Sequence, residues 1–456
     1  LLDFVENNCK TECKREKEIV SPLWTFTKFR PQRKVMLQGN YWRDTLEIDK
    51  AWTKEKGAGL LLTYAITKGG VWFEGRAGVG KTEILKCLDK KLDINRQKYR
   101  WMKPYYKAKY NHTYYSECED WREDNPCFAI KLAPTNKACN LIGGKTLNRG
   151  LGIPVITIDE EKVEKDEGGY SENYFEKVIT VIAGDGFQKP CYDLIVIDEI
   201  SMISGQMWSF LYYIKKRIPR VKFILCGDIK RQLPPVGEEY RNFMGAYVIK
   251  ELANFTKIKL EYSFRNSMVG DVLWDEWSKN PEQFKIEPEA PMTEINLSWT
   301  NKTRKSVIRD KQFALTGDIH TIIATDYVKE DNSYITDPDK QLSWIVFKIG
   351  SPFIANKSNT ETGVAKNEIW KVSNIQEDEI TLRLTSDREI TITREDLFYG
   401  WYSGYCITIH KSQGETFADK YTIWDWDRIP KNSLGRRLRY VAQSRSKDPE
   451  NNITYK

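Results

Sequence analysis

The stretch Gly75–Thr82, which reads GRAGVGKT, decides the fold of this chain. Its spacing is Gly, four residues, then Gly-Lys-Thr, and its glycines let successive backbone N–H groups turn toward phosphate oxygens. The preceding GVWFEG is an apolar run that predicts a buried strand, and the following KTEILKCLDKKL predicts an amphipathic helix. Strand, loop and helix in this order predict a P-loop that binds a nucleoside triphosphate.

The loop offers several ligands to a nucleotide. Lys81 supplies a positive charge for the β- and γ-phosphates, and Thr82 supplies a hydroxyl for Mg²⁺. The predicted nucleotide-binding residues of the loop are Gly75, Ala77, Gly78, Val79, Gly80, Lys81 and Thr82. No convincing adenine-selecting Gln precedes Gly75, so a preference for ATP does not follow from these residues alone.

Two further apolar runs predict the rest of the nucleotide site. LIVIDEISMIS, residues 194–204, places Asp198 and Glu199 at the end of a strand that is apolar on both faces, as in a buried parallel sheet. We expect Asp198 to bind Mg²⁺ through water and Glu199 to orient or deprotonate the attacking water. A third run, VKFILCGD, precedes Gln232, whose amide suits a sensor of the γ-phosphate.

Length, charge and cysteine usage set wider limits. With 456 residues the chain predicts two to four domains, and its net charge of +7 permits a polyanionic partner without requiring one. No apolar run approaches the ~18 residues that cross a bilayer, so we expect a soluble intracellular protein in the nucleus, the cytoplasm or a viral replication site. Scattered cysteines predict reduced core thiols, although a zinc site joining Cys9 and Cys13 with Cys118 and Cys127 stays open.

Seven stretches, in order, resemble the motifs of superfamily 1 helicases, in particular the Pif-one and RecD-like branch. They are GRAGVGKT, LAPTNKACNLIGGKT, VIDEIS, GDIKRQLPPV, LEYSFRN, YCITIHKSQGETF and RYVAQSRSK, and they span roughly residues 55 to 456. The resemblance implies an α/β fold of two tandem RecA-like P-loop domains, each a parallel sheet flanked by helices, with ATP between them. It assigns Arg265 and Arg445 to the second domain as arginines that stabilise charge on the γ-phosphate.

This chain departs from the family pattern at two points. Three residues rather than two separate Gly227-Asp228 from Gln232, so we expect the loop to bulge there. Asn148 stands where the family has His.

The resemblance and the local patterns together give domain boundaries. We expect an N-terminal extension over residues 1–50, a first RecA-like domain over 51–255 and a second one over 256–324 and 397–456. Short strand-like pieces in 325–396 match the SH3-like β barrel that this branch inserts. Insertions in the first domain are expected at about 93–127 and 148–190, the latter with strand-like ends around an acidic middle.

Contacts to a nucleic acid are also implied. The family grips the phosphate backbone, and the matching residues here are Thr135, Asn136, Thr408, His410, Lys411 and Ser412. A buried core role for His410 stays open. Residues 93–115 interleave six Lys or Arg with seven aromatics, which suits a platform for single-stranded bases, although a solvated insertion whose Tyr and Trp pack on the first domain is slightly favoured.

These observations predict an ATP-dependent DNA helicase that moves along single-stranded DNA and acts on forked DNA. Movement in the 5′-to-3′ direction and a monomeric motor are implied by the resemblance only. An RNA helicase of a virus and an ATP-driven switch or translocase without unwinding remain alternatives, as does a piece of a larger replication protein. Replication, repair and recombination all use such a motor, and the sequence does not choose among them or indicate protein partners.

Overall fold

The computed structural model describes most of the chain, with gaps. The described residues are 42–48, 53–88, 129–153, 172–183, 192–219, 221–238, 247–264, 278–323, 344–357, 359, 362–364, 366–385, 388–446, 448 and 452–456. The chain divides into two compact units. Unit 1 comprises Leu1–Lys230 with Pro234–Arg265, and unit 2 comprises Arg231–Leu233 with Asn266–Lys456.

Unit 1 is built on a seven-stranded parallel sheet. Its strands are β1 (Asp44–Ile48), β2 (Val71–Gly75), β3 (Ala129–Ala133), β4 (Lys145–Thr146), β5 (Leu194–Ile197), β6 (Lys222–Cys226) and β7 (Thr256–Leu260). The order across the sheet is β1-β7-β2-β6-β5-β3-β4. The predicted strands before the P-loop, before Asp198 and before Gly227 are thus confirmed as β2, β5 and β6, with β6 between the other two.

Helices cover both faces of this sheet. They are α1 (Lys54–Lys68), α2 (81–88), α3 (Asn136–Ile142), α4 (Leu147–Leu151), α5 (Glu172–Ala183), α6 (Gly205–Arg217) and α7 (Tyr247–Leu252).

The alternation of side chains along a strand explains this two-sided core. Leu194 and Val196 of β5 lie in one apolar cluster, which includes α1 and α2. Ile195 and Ile197 lie in the other, which includes α5, α6 and α7. Both faces of β5 are therefore buried, as its unbroken apolar sequence predicts.

The N-terminal extension and the first domain boundary differ from the sequence prediction. β1 lies within the expected extension, yet it pairs in parallel with β7 along Asp44–Ile48 and Thr256–Leu260. β7 in turn pairs with β2, so the boundary after residue 255 was placed too early. These pairings join segments 185 to 212 residues apart, and local sequence patterns carry no information on such partners.

The expected strand at the end of the 148–190 insertion is wrong. α5 is a helix because its apolar residues recur at helical spacing. Phe175, Val178, Ile179 and Ile182 all pack in the apolar cluster on the α6 face of the sheet. The 93–127 insertion, most of the 148–190 insertion and the four cysteines of the zinc hypothesis, Cys9, Cys13, Cys118 and Cys127, lie outside the described residues.

Unit 2 contains a four-stranded parallel sheet with the order β16-β8-β17-β18. These strands are β8 (Ile295–Ser298), β16 (Ile407–Thr408), β17 (Tyr421–Ile423) and β18 (Ile453–Tyr455). Two helices accompany them, α8 (Asn301–Phe313) and α10 (Ser433–Gln443). Leu438 and Val441 of α10 pack in one core with Leu297 and Ile423 of the sheet. Parallel sheets with helices in both units agree with the predicted tandem RecA-like fold.

An antiparallel sheet is inserted in unit 2, with the order β14-β13-β12-β11-β15. Its strands are β11 (Pro352–Ala355), β12 (Ile369–Ile375), β13 (Glu379–Thr385), β14 (Arg388–Thr393) and β15 (Trp401–Ser403), and α9 (Arg394–Gly400) lies between the last two. A separate pair joins β9 (His320–Ile323) to β10 (Trp344–Phe347) in antiparallel fashion. The predicted short strands are confirmed, whereas closure into an SH3-like barrel stays a prediction.

The end of this insertion also differs from the expectation. β15 pairs with β11, so the inserted sheet runs past residue 396 to Ser403. Only residues 404–406 separate β15 from β16 of the parallel sheet. This connection is pinned, because the Gly404 N–H donates to the Pro352 carbonyl at 2.7 Å and the Tyr405 and Ser351 hydroxyls are 2.9 Å apart. Ile354 and Tyr402 of the inserted sheet pack in the core of the parallel sheet.

Candidate nucleotide site and nucleic-acid loop

The P-loop of unit 1 connects β2 to α2. Gly78 and Gly80 have φ angles of 83° and 81°, in the left-handed region that side-chain-bearing residues resist. The Lys81 ammonium is buried and donates to the carbonyls of Gly75 at 2.8 Å and Arg76 at 2.7 Å. The loop therefore curls around the lysine, as the phosphate-binding motif requires.

The two residues predicted to hold the metal lie together. The Thr82 hydroxyl donates to the Asp198 carboxylate at 3.2 Å, which joins the start of α2 to the end of β5. The backbone N–H of Glu199 donates to the other Asp198 oxygen at 2.9 Å. Burial raises the pKa of Asp198, while the Glu199 N–H and the Lys81 charge act in the opposite direction.

This pair fits Mg²⁺. One hydroxyl and one carboxylate at hydrogen-bond distance are the few protein ligands that Mg²⁺ uses when waters and phosphate oxygens complete its octahedron. Among the described residues, no group of three or more His, Cys, Asp or Glu forms a cage for a metal ion. The residues thus suit a metal that arrives with its nucleotide.

Glu199 lies at the turn after β5 in a left-handed conformation, with φ 52°. This conformation is unfavourable for a residue with a side chain, and such strain concentrates at functional sites. Its carbonyl accepts from the Met202 N–H at 3.1 Å, so the turn is fixed from both sides. The side chain is half-buried next to Asp198, as expected for a base that handles water.

Phe264 contacts the P-loop, a contact that the sequence patterns do not predict. Its N–H donates to the Gly78 carbonyl at 2.9 Å. Its ring lies 3.5 Å from the point where a Cβ on Gly80 would be, and 54% of the residue is exposed. Arg265 follows but lies outside the described residues. Because β7 belongs to the first sheet, the expectation that this segment starts the second domain is wrong.

The loop after β6 passes from one unit to the other. Asp228 belongs to unit 1, and its side chain accepts from the Lys230 N–H at 3.1 Å, which closes a local turn. Gln232 is buried and counts with unit 2. Its neighbour Leu233 is fully buried in the core of unit 2.

Arg445 is buried in unit 2 after α10. Its guanidinium donates to the Val441 carbonyl at 2.8 Å, to the Glu415 carbonyl at 3.1 Å and to the Ser412 carbonyl at 3.4 Å. In this structure the predicted arginine therefore holds the turn 412–415. A guanidinium has five donors in a rigid fork, which allows it to bind several carbonyls at once.

The predicted nucleic-acid residues of unit 2 fall into two groups. Thr408 and His410 are half-buried, and Lys411 is exposed. The Lys411 ammonium lies 4.3 Å from the centre of the Tyr402 ring and donates to its hydroxyl. Ser412 differs, because it is fully buried and its hydroxyl donates to the Ile409 carbonyl at 2.8 Å. The prediction that Ser412 touches nucleic acid is corrected to a role in folding the turn.

In unit 1, the hydroxyl of Thr135 accepts from the Ala138 N–H at 3.2 Å and caps α3. Asn136 is the first residue of this helix, and both residues are half-buried. A cap of this kind explains the threonine without any ligand, so their contact with nucleic acid stays a prediction.

Comparison with known proteins starts from the P-loop region. Residues 62–238 match the family model described as the AAA domain. This match covers the P-loop, Asp198, Glu199 and Gln232. No curated protein matches this chain in sequence.

Solved structures match over a longer range. The Pif1 helicase of Candida albicans superposes with a TM-score of 0.56 at 18% identity, covering 90% of this chain and 94% of that one. Bacteroides Pif1 bound to single-stranded DNA gives 0.52 at 19% identity, covering 89% and 92%. A structure of two coordinating Pif1 helicases at forked double-stranded DNA gives 0.54 at 21%, also covering 89% and 92%.

The fold and the site define a P-loop protein, and residues 62–238, which lie mostly in its first unit, match the family model of the AAA domain. The chain as a whole has the fold of the Pif1 helicases. The resemblance drawn from the seven motifs is confirmed at the level of the fold. Among the described residues, none of the helices is long and apolar enough to cross a membrane.

Proposed function

We propose that this protein is an ATP-dependent DNA helicase that moves along single-stranded DNA and unwinds duplexes, with the 5′-to-3′ direction that its motifs imply. The observation that carries the proposal is the hydrogen bond between Thr82 and Asp198, beside the buried Lys81 ammonium. It joins the P-loop to the carboxylate strand within a fold shared with Pif1 helicases. A nucleic-acid motor requires this hydrolytic pair, whereas a simple binding protein does not.

Residues of the P-loop and of the other predicted motifs account for ATP binding and cleavage. Lys81 and the backbone N–H groups of the P-loop would hold the phosphates, and Thr82 with Asp198 would hold Mg²⁺, which would supply charge neutralisation on the phosphate oxygens. Glu199 accepts a proton from the attacking water or orients it. Gln232, Arg265 and Arg445 respond to the γ-phosphate, the two arginines by stabilising its developing negative charge.

Nucleic-acid binding follows from the turn after β16. Lys411 is exposed there, and its ammonium suits a phosphate contact that does not depend on base sequence. Thr408 and His410 accompany it, and Thr135 with Asn136 provides the matching contacts of unit 1. Such backbone contacts let a motor move along any sequence of single-stranded DNA.

ATP hydrolysis with and without single-stranded DNA tests this proposal. We expect strong stimulation by DNA in the native protein and loss of turnover by about 100-fold or more in Glu199→Gln and Arg445→Ala. Glu289→Gln and Arg309→Ala remove exposed side chains of the same types and serve as controls. Because Arg445 also holds the turn 412–415, the thermal stability of Arg445→Ala is measured, and Arg445→Lys is compared to retain the charge.

The outcomes separate the alternatives. Stimulation by RNA but not DNA would assign the motor to RNA. Turnover stimulated by DNA, without strand separation on forked duplexes of either polarity, would indicate a translocase. Absence of stimulation by either nucleic acid would contradict the proposal.

A further inference from the structure

Gln413 connects two stretches that the proposed function uses, the loop that contains Gln232 and the turn that contains Lys411. It lies in the turn after β16, next to the buried Ser412, and 9% of the residue is exposed. Its side-chain carbonyl accepts from the backbone N–H of Leu233 at 3.2 Å. The two residues are 180 positions apart in sequence, and both belong to unit 2.

The partner segment is anchored at the same point by apolar packing. Leu233 is fully buried in the core that includes Ile409 and Phe417, which flank the turn on its two sides. Arg231–Leu233 consequently counts with unit 2, although the residues before and after it count with unit 1. The segment is thus fixed to the turn by packing and by the hydrogen bond.

The hydrogen bond constrains Gln232 directly. The N–H of Leu233 and the carbonyl of Gln232 belong to one planar peptide group, so a bond to this N–H fixes the plane next to the Gln232 Cα. Gln232 is itself buried, which leaves its backbone little freedom. Any displacement of Gln232 therefore shifts the side chain of Gln413, and the reverse also holds.

The turn holds Gln413 firmly enough to transmit such a shift. The N–H of Ser412 donates to the Thr408 carbonyl at 3.1 Å, and the N–H of Glu415 donates to the Ser412 carbonyl at 2.9 Å. Arg445 binds the carbonyls of Ser412 and Glu415. Thr408, His410 and Lys411, the proposed DNA contacts, lie on this same braced turn.

We propose that Gln413 is a positioning residue that couples the nucleotide response of Gln232 to the DNA grip of the turn 408–411. It touches neither ATP nor DNA and acts through the Leu233 peptide group. This inference rests on the proposed function, because it assumes that Gln232 senses the γ-phosphate and that Lys411 contacts DNA. It adds a named residue through which the state of the nucleotide changes the affinity for the strand.

Binding of a fluorescent oligothymidylate tests the coupling, since it does not depend on turnover. Its Kd is measured without nucleotide, with ADP and with a non-hydrolysable ATP analogue, and the ratio of the two nucleotide-bound values reports the coupling. In Gln413→Met, which removes the acceptor at similar volume, we expect the ratio to move toward one by about 3- to 10-fold, the factor that one hydrogen bond supplies. The nucleotide-free Kd should stay within about twofold, since no DNA contact is removed. Gln413→Glu keeps an acceptor and should retain the ratio.

A matched control variant and a double variant test whether the coupling runs through the hydrogen bond between Gln413 and Leu233. Tyr455→Phe removes a different buried hydrogen bond of unit 2, the 3.2 Å bond from Gln443, and should leave the ratio unchanged. Gln232→Ala should reduce the ratio, and adding Gln413→Met should then change it no further. A native ratio in Gln413→Met, or additive effects in the double variant, overturns the inference. If the native protein itself binds no DNA or ignores the nucleotide, the proposed function fails, and the inference fails with it.

Discussion

Thr82 shows how much of the site depends on a single hydroxyl. It is both the ligand predicted for Mg²⁺ and the donor that fixes Asp198 at 3.2 Å. Thr82→Val removes this hydroxyl at nearly constant volume, whereas Thr82→Ser retains it. We expect ATP turnover at saturating Mg²⁺ to fall by about 100-fold in Thr82→Val, about 2.7 kcal/mol of activation free energy, and by less than about tenfold in Thr82→Ser.

The measurement is a Mg²⁺ titration of the steady-state ATPase rate. If the hydroxyl binds the metal, the apparent Mg²⁺ affinity falls together with the rate in Thr82→Val. Equal rates in the two variants would mean that the contact to Asp198 is structural only.

Residues with a local signature could be predicted from the sequence, and residues with distant partners could not. Lys81, Asp198 and Glu199 follow glycines or buried strands, so their places in the loop and at the end of β5 could be predicted, whereas their roles in hydrolysis stay predictions. Phe264 at the P-loop carries no such signature, because its partner Gly78 is 186 residues away along the chain. Ser412 was misassigned for a related reason, since a hydroxyl in a motif does not reveal that it is fully buried.

The start of α10 has no room for a side chain at Gly435. A Cβ on Gly435 would lie 1.6 Å from the Pro430 carbonyl oxygen, so the loop and the helix approach each other too closely for any side chain. We expect Gly435→Ala to destabilise unit 2 by more than about 3 kcal/mol, measured by chemical denaturation.

Gly400, the last residue of α9, is the matched control. No atom lies within 4 Å of a Cβ added there, and its φ is ordinary. Gly400→Ala should leave unit 2 as stable or raise its stability by about 0.5 kcal/mol, because the unfolded chain loses freedom. Equal effects at the two glycines would contradict the close approach at Gly435.

The last turn of α6 contains a lysine, Lys215, whose pKa is lower than usual. Burial lowers the pKa of Lys215 to about 8, and its ammonium donates to the Gly69 carbonyl at 3.3 Å. Between about pH 8 and the usual value near 10.4, the unfolded chain binds more protons at this site than the folded one, so stability rises with pH. Below pH 8 the burial of the charge opposes folding throughout.

Lys215→Met therefore stabilises unit 1 at neutral pH. We expect a gain of about 2 kcal/mol or less at pH 7, since the lost hydrogen bond offsets part of the relief. The advantage over the native protein should shrink as pH rises from 8 to 10. Denaturation curves at several pH values measure this difference, and a difference that does not change with pH would show that Lys215 titrates normally.

The elements also show where sequence patterns mislead. Short alternating pieces gave β12, β13 and β14 correctly, because each forms a hairpin with its neighbour in the chain. The expected strand at the end of the 148–190 insertion is the helix α5, since its β-branched residues suggested a strand while the spacing of its buried residues follows the helical period. Periodicity is the stronger signal in that segment.

For the molecule as a whole, β1 makes residues 44–48 part of the first sheet. Trp42, just before it, lies 5.1 Å from Trp72, and the Lys257 ammonium is 5.3 Å from both rings. Removal of residues 1–52 leaves β7 without this neighbour. We expect the melting temperature of the truncated protein to fall by about 5 °C or more, because the pairing of β1 with β7 and the aromatic packing of Trp42 are lost together.

A shorter truncation is the control. Removal of residues 1–40 retains Trp42 and β1, and should preserve the melting temperature within about 2 °C. If both truncations lower it equally, residues before Trp42 stabilise the unit and β1 is not the cause.

At this scale the order of motifs along the chain predicted the tandem fold, and the pairing of distant strands set the real boundaries. β7 follows the carboxylate and glutamine motifs in sequence, which suggested a new domain, yet it lies between β1 and β2 in the first sheet. β15 likewise extends the inserted sheet beyond its expected end. Motifs locate chemistry along the chain, whereas hydrogen-bonded partners decide which unit contains each strand.

The short connection from β15 to β16 has a mechanical consequence. Three residues, 404–406, separate the inserted sheet from β16, which contains Thr408 and leads to the exposed Lys411, and hydrogen bonds of Gly404 and Tyr405 hold this connection in place. Without a slack linker, a load on the inserted sheet reaches that turn almost undamped, shearing the hydrogen bonds between β15 and β11 along their length. In an optical trap, force applied to the inserted sheet would reach this turn with little extension of the connection. A flexible insertion at residue 404 would let the connection extend under the same force.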